Sequence, residues 1–199
     1  MRIELASLGS WVPENSRVLD LACGDGTLMR HLMDNRGVSG YGLEIDPEQI
    51  SKCLQLNINV IEKELVRDLD QFPTNSFDVV IMTQALQVMR FPDVILEEML
   101  RVGRECIVTF PNFGQLRARS YLALHGRMPK TNSLPYEWYN TPNIHLCTIS
   151  DFVEHCRKSD YKILNQQVLA EQAFNRAMMG LMPNLFAETA VYHLTKNGR

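Results

Sequence analysis

Residues 18–28, Val-Leu-Asp-Leu-Ala-Cys-Gly-Asp-Gly-Thr-Leu, place a carboxylate and two closely spaced glycines at the end of an apolar run. Gly24 and Gly26 allow the backbone to approach a ligand without an intervening Cβ atom. Asp20 favours a cationic or amine-bearing ligand, because a carboxylate pairs with an ammonium group through charge-assisted hydrogen bonds. The pattern therefore predicts a ligand site where a buried strand turns into a helix.

Two nucleotide-binding motifs also place glycines after a strand, and neither matches this turn. The dinucleotide motif has a third glycine three residues after the second, where helix and strand pack closely, but Met29 occupies that position. Asp20 would also bring its negative charge close to a pyrophosphate. A phosphate loop requires Gly-Lys followed by Ser or Thr, which does not follow Gly26. Both kinds of nucleotide site are therefore excluded.

The turn resembles motif I of the class I S-adenosylmethionine-dependent methyltransferases, Asp/Glu-x-Gly-x-Gly-x-Gly. In those enzymes the amino acid end of the cofactor lies over the turn. Ala22 replaces the first glycine of the motif, and we expect the added methyl group to be tolerated. The resemblance implies that S-adenosylmethionine or S-adenosylhomocysteine is bound by the turn residues Asp20, Ala22, Cys23, Gly24 and Gly26.

Glu44 ends the second predicted strand, where the resemblance places an acidic residue on the two ribose hydroxyl groups of the cofactor, with Ile45 beside it. A carboxylate suits this role because its two oxygens accept two hydrogen bonds in parallel. The alternative is that Glu44 and Asp46 both cap the helix that begins at Pro47. We expect Glu44 to bind the ligand and Asp46 to cap the helix.

Further positions at strand ends fit the same cofactor. Where the methyltransferases often carry Gly-Asp against the adenine amino group, this chain has Lys63-Glu64, followed by Leu65. Glu64 is either the adenine contact, with one more methylene, or a surface glutamate. Thr83 and Gln84 end the fourth predicted strand and are expected to pass under the reactive part of the cofactor.

A general base is not evident after the fourth strand, where residues 84–87 read Gln-Ala-Leu-Gln and many small-molecule methyltransferases carry a histidine. Methyl transfer is an in-line displacement, so the protein mainly positions the reactants, and only a protonated nucleophile needs a base. His145 is the weak catalytic candidate. The favoured alternative for His145 is a structural hydrogen bond to a neighbouring carbonyl group.

Strand-like and helix-like patterns alternate along the chain. Besides the first strand, which carries Val18, Leu19 and Leu21, strands are predicted at 39–45, 58–62, 77–82, 105–110, 161–169 and 189–195. Helices are predicted at 1–12, 27–35, 47–55, 92–101, 114–125, 149–158 and 172–181. This order predicts an α/β fold with a mostly parallel sheet covered on both faces. With the resemblance, it predicts a Rossmann-like class I methyltransferase fold of seven strands, ending in an antiparallel hairpin over 161–195.

Composition limits the kinds of protein and the kinds of partner that the sequence is compatible with. With 199 residues, 45% of them apolar and 22% charged, the chain is predicted to be a single domain over 1–199. A net charge of −3 and short apolar runs argue against nucleic-acid and membrane partners. No charged leader with an apolar core opens the chain, so we expect a cytoplasmic protein. Five widely spaced cysteines without Cys-x-x-Cys predict buried small residues rather than a disulfide framework or a metal site.

A second, narrower resemblance rests on the segment predicted as a lid-like or partner-binding insertion at about 112–148. Its motifs are Phe110-Pro111-Asn112-Phe113-Gly114, Gly126-Arg127-Met128-Pro129, Leu134-Pro135-Tyr136-Glu137-Trp138-Tyr139 and Thr141-Pro142-Asn143-Ile144-His145-Leu146-Cys147-Thr148. These motifs are similar to the MetW family of methionine-biosynthesis proteins. That family implies a subunit that associates with and activates MetX, the homoserine O-acyltransferase.

Three functions remain open at this point. The first is a subunit that binds S-adenosylmethionine or S-adenosylhomocysteine and supports MetX, and the second is a methyltransferase acting on a small molecule. The third is a degenerate scaffold without a ligand. We hypothesise that the aromatic loop around Trp138 and the methionine-rich helix around Met179 contribute to a protein interface. Packing of the loop on its own domain is an alternative of at least equal weight, and core packing is the default interpretation of the helix.

Overall fold

A computed structural model describes residues 8–63, 69–170 and 172–198. In chain order, the regular elements are β1 (Arg17–Leu21), α1 (Thr27–Arg36), β2 (Ser39–Glu44), α2 (Pro47–Gln55), β3 (Val60–Glu62), β4 (Phe77–Thr83), α3 (Pro92–Val102), β5 (Gly103–Pro111), α4 (Leu116–His125), α5 (Ile149–Lys158), β6 (Tyr161–Leu169), α6 (Ala173–Met178), α7 (Pro183–Phe186) and β7 (Thr189–Lys196). Short 3-10 turns span Leu69–Gln71 and Leu86–Val88.

Within the described chain, seven strands form one sheet in the order β3-β2-β1-β4-β5-β7-β6. Strands β1 to β5 pair in parallel, whereas β7 is antiparallel to both β5 and β6. The predicted class I methyltransferase-like fold with a terminal antiparallel hairpin is therefore confirmed. The strand order reverses between β1 and β4. Because open sheets of this kind bind ligands beyond the carboxyl ends of the strands at such a reversal, this is the expected ligand edge.

The two faces of the sheet are both buried, which explains the apolar runs of the central strands. Leu19, Val80 and Met82 face a cluster that includes α3 and α5. Val18 and Ile81 alternate with them and face the opposite cluster, which includes α1. The side-chain period of two along a strand sends neighbours to opposite faces, so both faces must be covered by helices. The result is a three-layer arrangement.

Two predicted helices differ from the structure. The helix predicted over 172–181 ends at Met178, and a separate short helix begins at Pro183. Gly180 lies in the turn between them, and glycine and proline are the residues that most disfavour helix continuation. Of the helix predicted over 1–12, residues 1–7 lie outside the described part, and the helix stops within the residues that follow. Among the described helices, none has the length and apolar character needed to cross a membrane.

Asn112 anchors both ends of the segment predicted as an insertion. Its side chain is fully buried. The amide Nδ2 donates to the carbonyl oxygens of Asn184, at 3.1 Å, and Ala187, at 2.8 Å. The amide Oδ1 accepts from the backbone N–H groups of Gly114, at 2.9 Å, and Ile149, at 3.3 Å. Both N–H donors and both acceptor positions of one amide therefore hold the start and the end of the segment against α7 and Ala187, which follows it.

Candidate functional site

The glycine turn between β1 and α1 has an open backbone. Gly24 and Gly26 adopt φ angles of 57° and 77°, in the left-handed region that favours glycine. A Cβ atom built on Gly24 would meet nothing within 4 Å, whereas one on Gly26 would lie 3.0 Å from Cys53 Sγ. Gly26 is therefore needed for packing against α2, and Gly24 leaves open space beside the turn.

Asp20 ends in a buried carboxyl group whose two oxygens can accept hydrogen bonds. Its side chain is 1% exposed, and neither carboxylate oxygen has a hydrogen-bond partner in the described part of the chain. Burial, with a smaller contribution from the Glu44 carboxylate, raises the pKa of Asp20 to about 8. Since buried polar groups are normally paired, a carboxyl group left in this state is suited to receive a donor from a ligand.

Glu44 connects the end of β2 to the turn. Its Oε2 accepts a hydrogen bond from the backbone N–H of Gly24 at 2.9 Å, and its Oε1 accepts from Ile45 N at 2.8 Å and Asp46 N at 3.1 Å. Asp46 itself accepts from Glu48 N at 2.9 Å and caps α2, as predicted. The capping role therefore belongs to Asp46, while Glu44 holds the turn. Ligand binding by Glu44 stays a prediction.

Ala22 and Gln84 both adopt left-handed backbone conformations, with φ angles of 53° and 54°. They directly follow β1 and β4, neighbouring strands whose register pairs Leu21 with Met82. The other non-glycine residues with positive φ in the described chain are Asn or Asp, which tolerate this region far better. Backbone strain of this kind is concentrated at functional sites. Sequence reasoning missed it, since neither residue type signals a positive φ.

Gln87 brings the insertion to the same edge of the sheet. Its side chain is buried, its Nε2 donates to the carbonyl oxygen of Gln84 at 2.7 Å, and its Oε1 has no partner among the described residues. The backbone oxygen of Gln87 accepts from the N–H groups of Ile144 and His145, both at 3.0 Å. The end of the insertion therefore lies against the loop that follows β4.

Comparison with known proteins identifies the family. A family model described as "Methionine biosynthesis protein MetW" matches residues 2–194. The chain belongs to the MetW family. A bifunctional methionine biosynthesis protein MetXA/MetW from Rhodopirellula baltica is 31% identical over 208 residues, which cover 100% of this chain and 33% of that relative. This MetW family member thus spans about a third of the length of its fused relative.

Solved structures share the fold of this MetW family member. A SAM-dependent methyltransferase from Archaeoglobus fulgidus superposes with a TM-score of 0.68 at 15% identity, over 98% of this chain and 93% of that chain. One from Mesorhizobium loti gives a TM-score of 0.68 at 16% identity, over 95% of each chain. The [4+2]-cyclase SpnF gives 0.66 at 16% identity, over 97% of this chain and 80% of that one. At this identity the likeness shows the fold alone.

The predicted site residues are distributed as follows. Asp20, Gly24 and Glu44 come together around the turn, and Thr83 and Gln84 lie at the neighbouring strand end. Glu64 and Leu65 lie outside the described residues. Ile45 is exposed next to Glu44. The structure therefore groups most of the residues that the motif placed at this edge.

His145 makes a contact that matches the structural alternative. It is exposed, and its Nε2 lies 3.3 Å from the carbonyl oxygen of Arg90. This distance fits a hydrogen bond in the tautomer that carries the proton on Nε2. The imidazole therefore ties the end of the insertion to the loop before α3, and a catalytic role for His145 stays a prediction.

Cys23 faces α2 beneath the turn. Its Sγ lies 3.8 Å from Cys53 Sγ, and Cys53 Sγ donates to the carbonyl oxygen of Gly24 at 3.1 Å. Burial raises the pKa of both thiols above the usual range, so both stay protonated at neutral pH. Their side chains pack the turn against α2. Within the described residues no group of three or more His, Cys, Asp and Glu side chains is arranged to hold a metal ion.

Proposed function

We propose that this chain is a subunit that binds S-adenosylmethionine or S-adenosylhomocysteine and that associates with MetX, the homoserine O-acyltransferase, and supports its activity. The observation that carries the proposal is the fused relative, which joins MetXA and MetW in one polypeptide and aligns with the whole of this chain. Fusion gives two domains a high effective concentration, which favours pairs that work in contact. Where the two are separate chains, a direct contact serves the same purpose.

The residues at the ligand edge fit the cofactor of the fold family. The unpaired, buried carboxyl group of Asp20 is suited to accept hydrogen bonds from the ammonium group of the cofactor. Gly24 leaves the space beside the turn free of side-chain atoms, and Glu44 keeps one lone-pair direction beyond the three hydrogen bonds that it accepts. S-adenosylmethionine, when bound, supplies an electrophilic methyl group, whereas S-adenosylhomocysteine does not.

The site favours ligand sensing over catalysis. His145, the predicted candidate base, is paired with the carbonyl oxygen of Arg90. Gln87 provides a neutral amide rather than a titratable group where a base is commonly found. A cofactor that is a close derivative of methionine would report the state of the pathway through Asp20 and Glu44, with no chemical step required of the chain.

The proposal is tested by mixing the purified chain with purified MetX from the same organism. We expect co-elution in size-exclusion chromatography and a higher acyltransferase turnover, and we expect calorimetric titration to detect S-adenosylmethionine or S-adenosylhomocysteine binding. Asp20→Asn, which removes the carboxylate, is expected to weaken that binding and leave co-elution unchanged. An unchanged turnover together with separate elution would contradict the proposal.

Methyl transfer to a small molecule is the second candidate. It is favoured by a relative described as 2-methyl-6-phytyl-1,4-hydroquinone methyltransferase from Synechocystis, 35% identical over 94 residues, which cover 46% of this chain and 30% of that protein. The unpaired Oε1 of Gln87 offers an acceptor for a substrate hydroxyl or amine group. Transfer of radiolabelled methyl groups from S-adenosylmethionine to a metabolite extract, and its loss in Gln87→Leu, would support this function.

A further inference from the structure

Helix α4 lies on the surface with almost no partner in the described part of the chain. Only one of its ten residues, Ala118, is buried. Leu124 is 80% exposed, and three other large apolar side chains of the helix are also exposed: Leu116, Tyr121 and Leu122. A helix that is stable in water normally covers its apolar side chains against a core. The described residues do not bury these apolar side chains, so a binding partner is the expected way to bury them.

The loop after α4 also exposes large apolar side chains. Trp138 is 74% exposed and Tyr139 is 69% exposed, and the two rings lie edge to face with centroids 5.6 Å apart. Aromatic side chains supply large, rigid contact areas and are enriched among the residues that dominate binding energy at protein interfaces. We call the exposed side chains of residues 116–139 the insertion surface. Its aromatic content is typical of an interaction site.

The insertion surface is held in shape by polar contacts. Gln115 Nε2 donates to Thr131 Oγ1 and Ser133 Oγ, both at 3.3 Å, which keeps the loop beside the start of α4. Lys130 Nζ pairs with Glu137 at 2.7 Å just before the aromatic residues. A surface that is ordered before binding loses less conformational entropy when a partner docks. The apolar side chains are therefore presented as a preformed site.

Charge distinguishes the insertion from the rest of the chain. Residues 112–148 contain Arg117, Arg119, Arg127 and Lys130 but only one acidic residue, Glu137, in a chain whose net charge is −3. Arg119 donates to the carbonyl oxygen of Gly114, and Lys130 pairs with Glu137. Arg117 and Arg127 form no ion pair with the described residues. The surface is therefore apolar with a basic border, and its complement is an apolar hollow bordered by carboxylates.

We propose that the insertion surface docks on MetX, with Leu124 and Trp138 as apolar anchors and with Arg117 and Arg127 facing acidic side chains of that partner. The inference rests on the proposed function, because one relative, from Rhodopirellula baltica, carries MetXA and MetW in a single polypeptide. A second copy of this chain is a poorer occupant, since a symmetric contact would bring two basic borders together.

The test measures the affinity of the full-length chain for MetX from the same organism by calorimetry, together with acyltransferase turnover. Leu124→Glu and Trp138→Ala are each expected to weaken binding by about tenfold or more, the effect usual for an interface anchor. Arg127→Glu is expected to weaken binding and to reduce its dependence on salt. The matched control is Leu54→Glu on α2, where the leucine is 60% exposed. Helix α2 connects β2 and β3 at one edge of the sheet, whereas the insertion follows β5.

Each outcome decides the proposal. If MetX binds the wild-type chain and all the insertion variants equally well, the docking surface is wrong and the proposed function stands. If Leu54→Glu weakens binding as much as Leu124→Glu, the site is likewise not specific to the insertion. The surface would be assigned to a membrane instead if the wild-type chain sediments with vesicles rich in phosphatidylserine and Leu124→Glu abolishes this sedimentation but keeps MetX binding. If MetX does not bind the wild-type chain at all, both proposals fail.

Discussion

The backbone N–H of Gly24 donates to the side-chain Oε2 of Glu44 at 2.9 Å, so the end of β2 holds the turn that follows β1. The same carboxylate accepts hydrogen bonds from the N–H groups of Ile45 and Asp46. One acidic side chain therefore joins two adjacent strand ends at the ligand edge. This contact makes the conformation of the glycine turn depend on Glu44, the residue that is also predicted to bind the ligand.

Glu44→Ala is expected to lower the free energy of unfolding by about 1–3 kcal/mol, because three backbone N–H groups lose their acceptor. It is also expected to weaken binding of S-adenosylmethionine, since the turn is no longer held. Thermal unfolding and calorimetric titration measure the two effects. Glu48→Ala, a neighbouring glutamate whose side chain pairs with Lys52 on the surface of α2, is the matched control and should change neither quantity appreciably.

Asp20 predicts a specific dependence of stability on pH. The unfolded carboxyl group titrates near its ordinary value of 3.8, whereas the folded one keeps its proton up to a pKa of about 8. The folded state therefore binds the proton more tightly, and this contribution to stability is fully present below pH 3.8 and is lost as pH rises towards 8. Asn does not titrate, so Asp20→Asn removes this loss of stability at high pH. The substitution is expected to stabilise the protein by about 1–3 kcal/mol at pH 8, a range that already includes the cost of burying an unpaired amide.

Urea unfolding of the wild-type protein and Asp20→Asn at pH 5 and pH 8 measures this effect. The stability difference is expected to be larger at pH 8 than at pH 5. Equal differences at both pH values would show that Asp20 titrates normally in the folded state. The same substitution is expected to weaken cofactor binding, because an amide cannot form the charge-assisted pair with an ammonium group.

The sequence predicted the strand and glycine turn at the end of β1 well, because the signals there are local. Gly24 and Gly26 mark a turn through their conformational freedom, and apolar runs on either side mark the strands. The predicted helix over 172–181 was too long, because the apolar spacing outweighed the local signals that interrupt the helix. Its apolar spacing continues to Leu181, but the turn at Gly180 and the restart at Pro183 interrupt the helix.

The contacts that hold the site could not be predicted, because they join residues far apart in the chain. Alanine and glutamine do not favour a left-handed backbone, so the residue types at 22 and 84 give no sign of it. Both residues directly follow strands that pair with each other, β1 and β4. Asn112 binds Asn184 and Ala187, and these partners are set by the tertiary fold. Whether a residue such as Trp138 is exposed or packed on its own domain was likewise open until the fold was known.

The left-handed conformation of Ala22 predicts which substitutions the turn accepts. Ala22→Gly is expected to change the free energy of unfolding by less than about 1 kcal/mol, because relief of the alanine strain is offset by the greater entropy of glycine in the unfolded chain. Ala22→Val is expected to destabilise the protein by about 2 kcal/mol or more, since a β-branched side chain is strongly disfavoured at positive φ. Denaturant unfolding compares the two, and equal stability of the valine variant would contradict this backbone conformation.

Asn112 predicts that the stability of the insertion depends on one buried amide. Asn112→Ala leaves two carbonyl groups and two N–H groups without their partner and is expected to lower the free energy of unfolding by about 2–4 kcal/mol. Asn112→Asp keeps the size of the side chain and the acceptors but sets a carboxylate against the carbonyl oxygens of Asn184 and Ala187, so it is expected to be no less destabilising.

Limited proteolysis separates a local effect of Asn112→Ala from a global one. Because the amide holds both ends of residues 112–148, cleavage within this segment is expected to accelerate before the sheet unfolds. Asn140→Ala, whose side chain accepts one exposed hydrogen bond from Glu137 N inside the same segment, is the control and should leave the cleavage rate nearly unchanged. Equal acceleration in both variants would mean that any loss of polar contact loosens the insertion. Faster cleavage in Asn112→Ala alone would identify this amide as its anchor. MetX binding is then expected to weaken in parallel, because the proposed docking uses the preformed insertion surface.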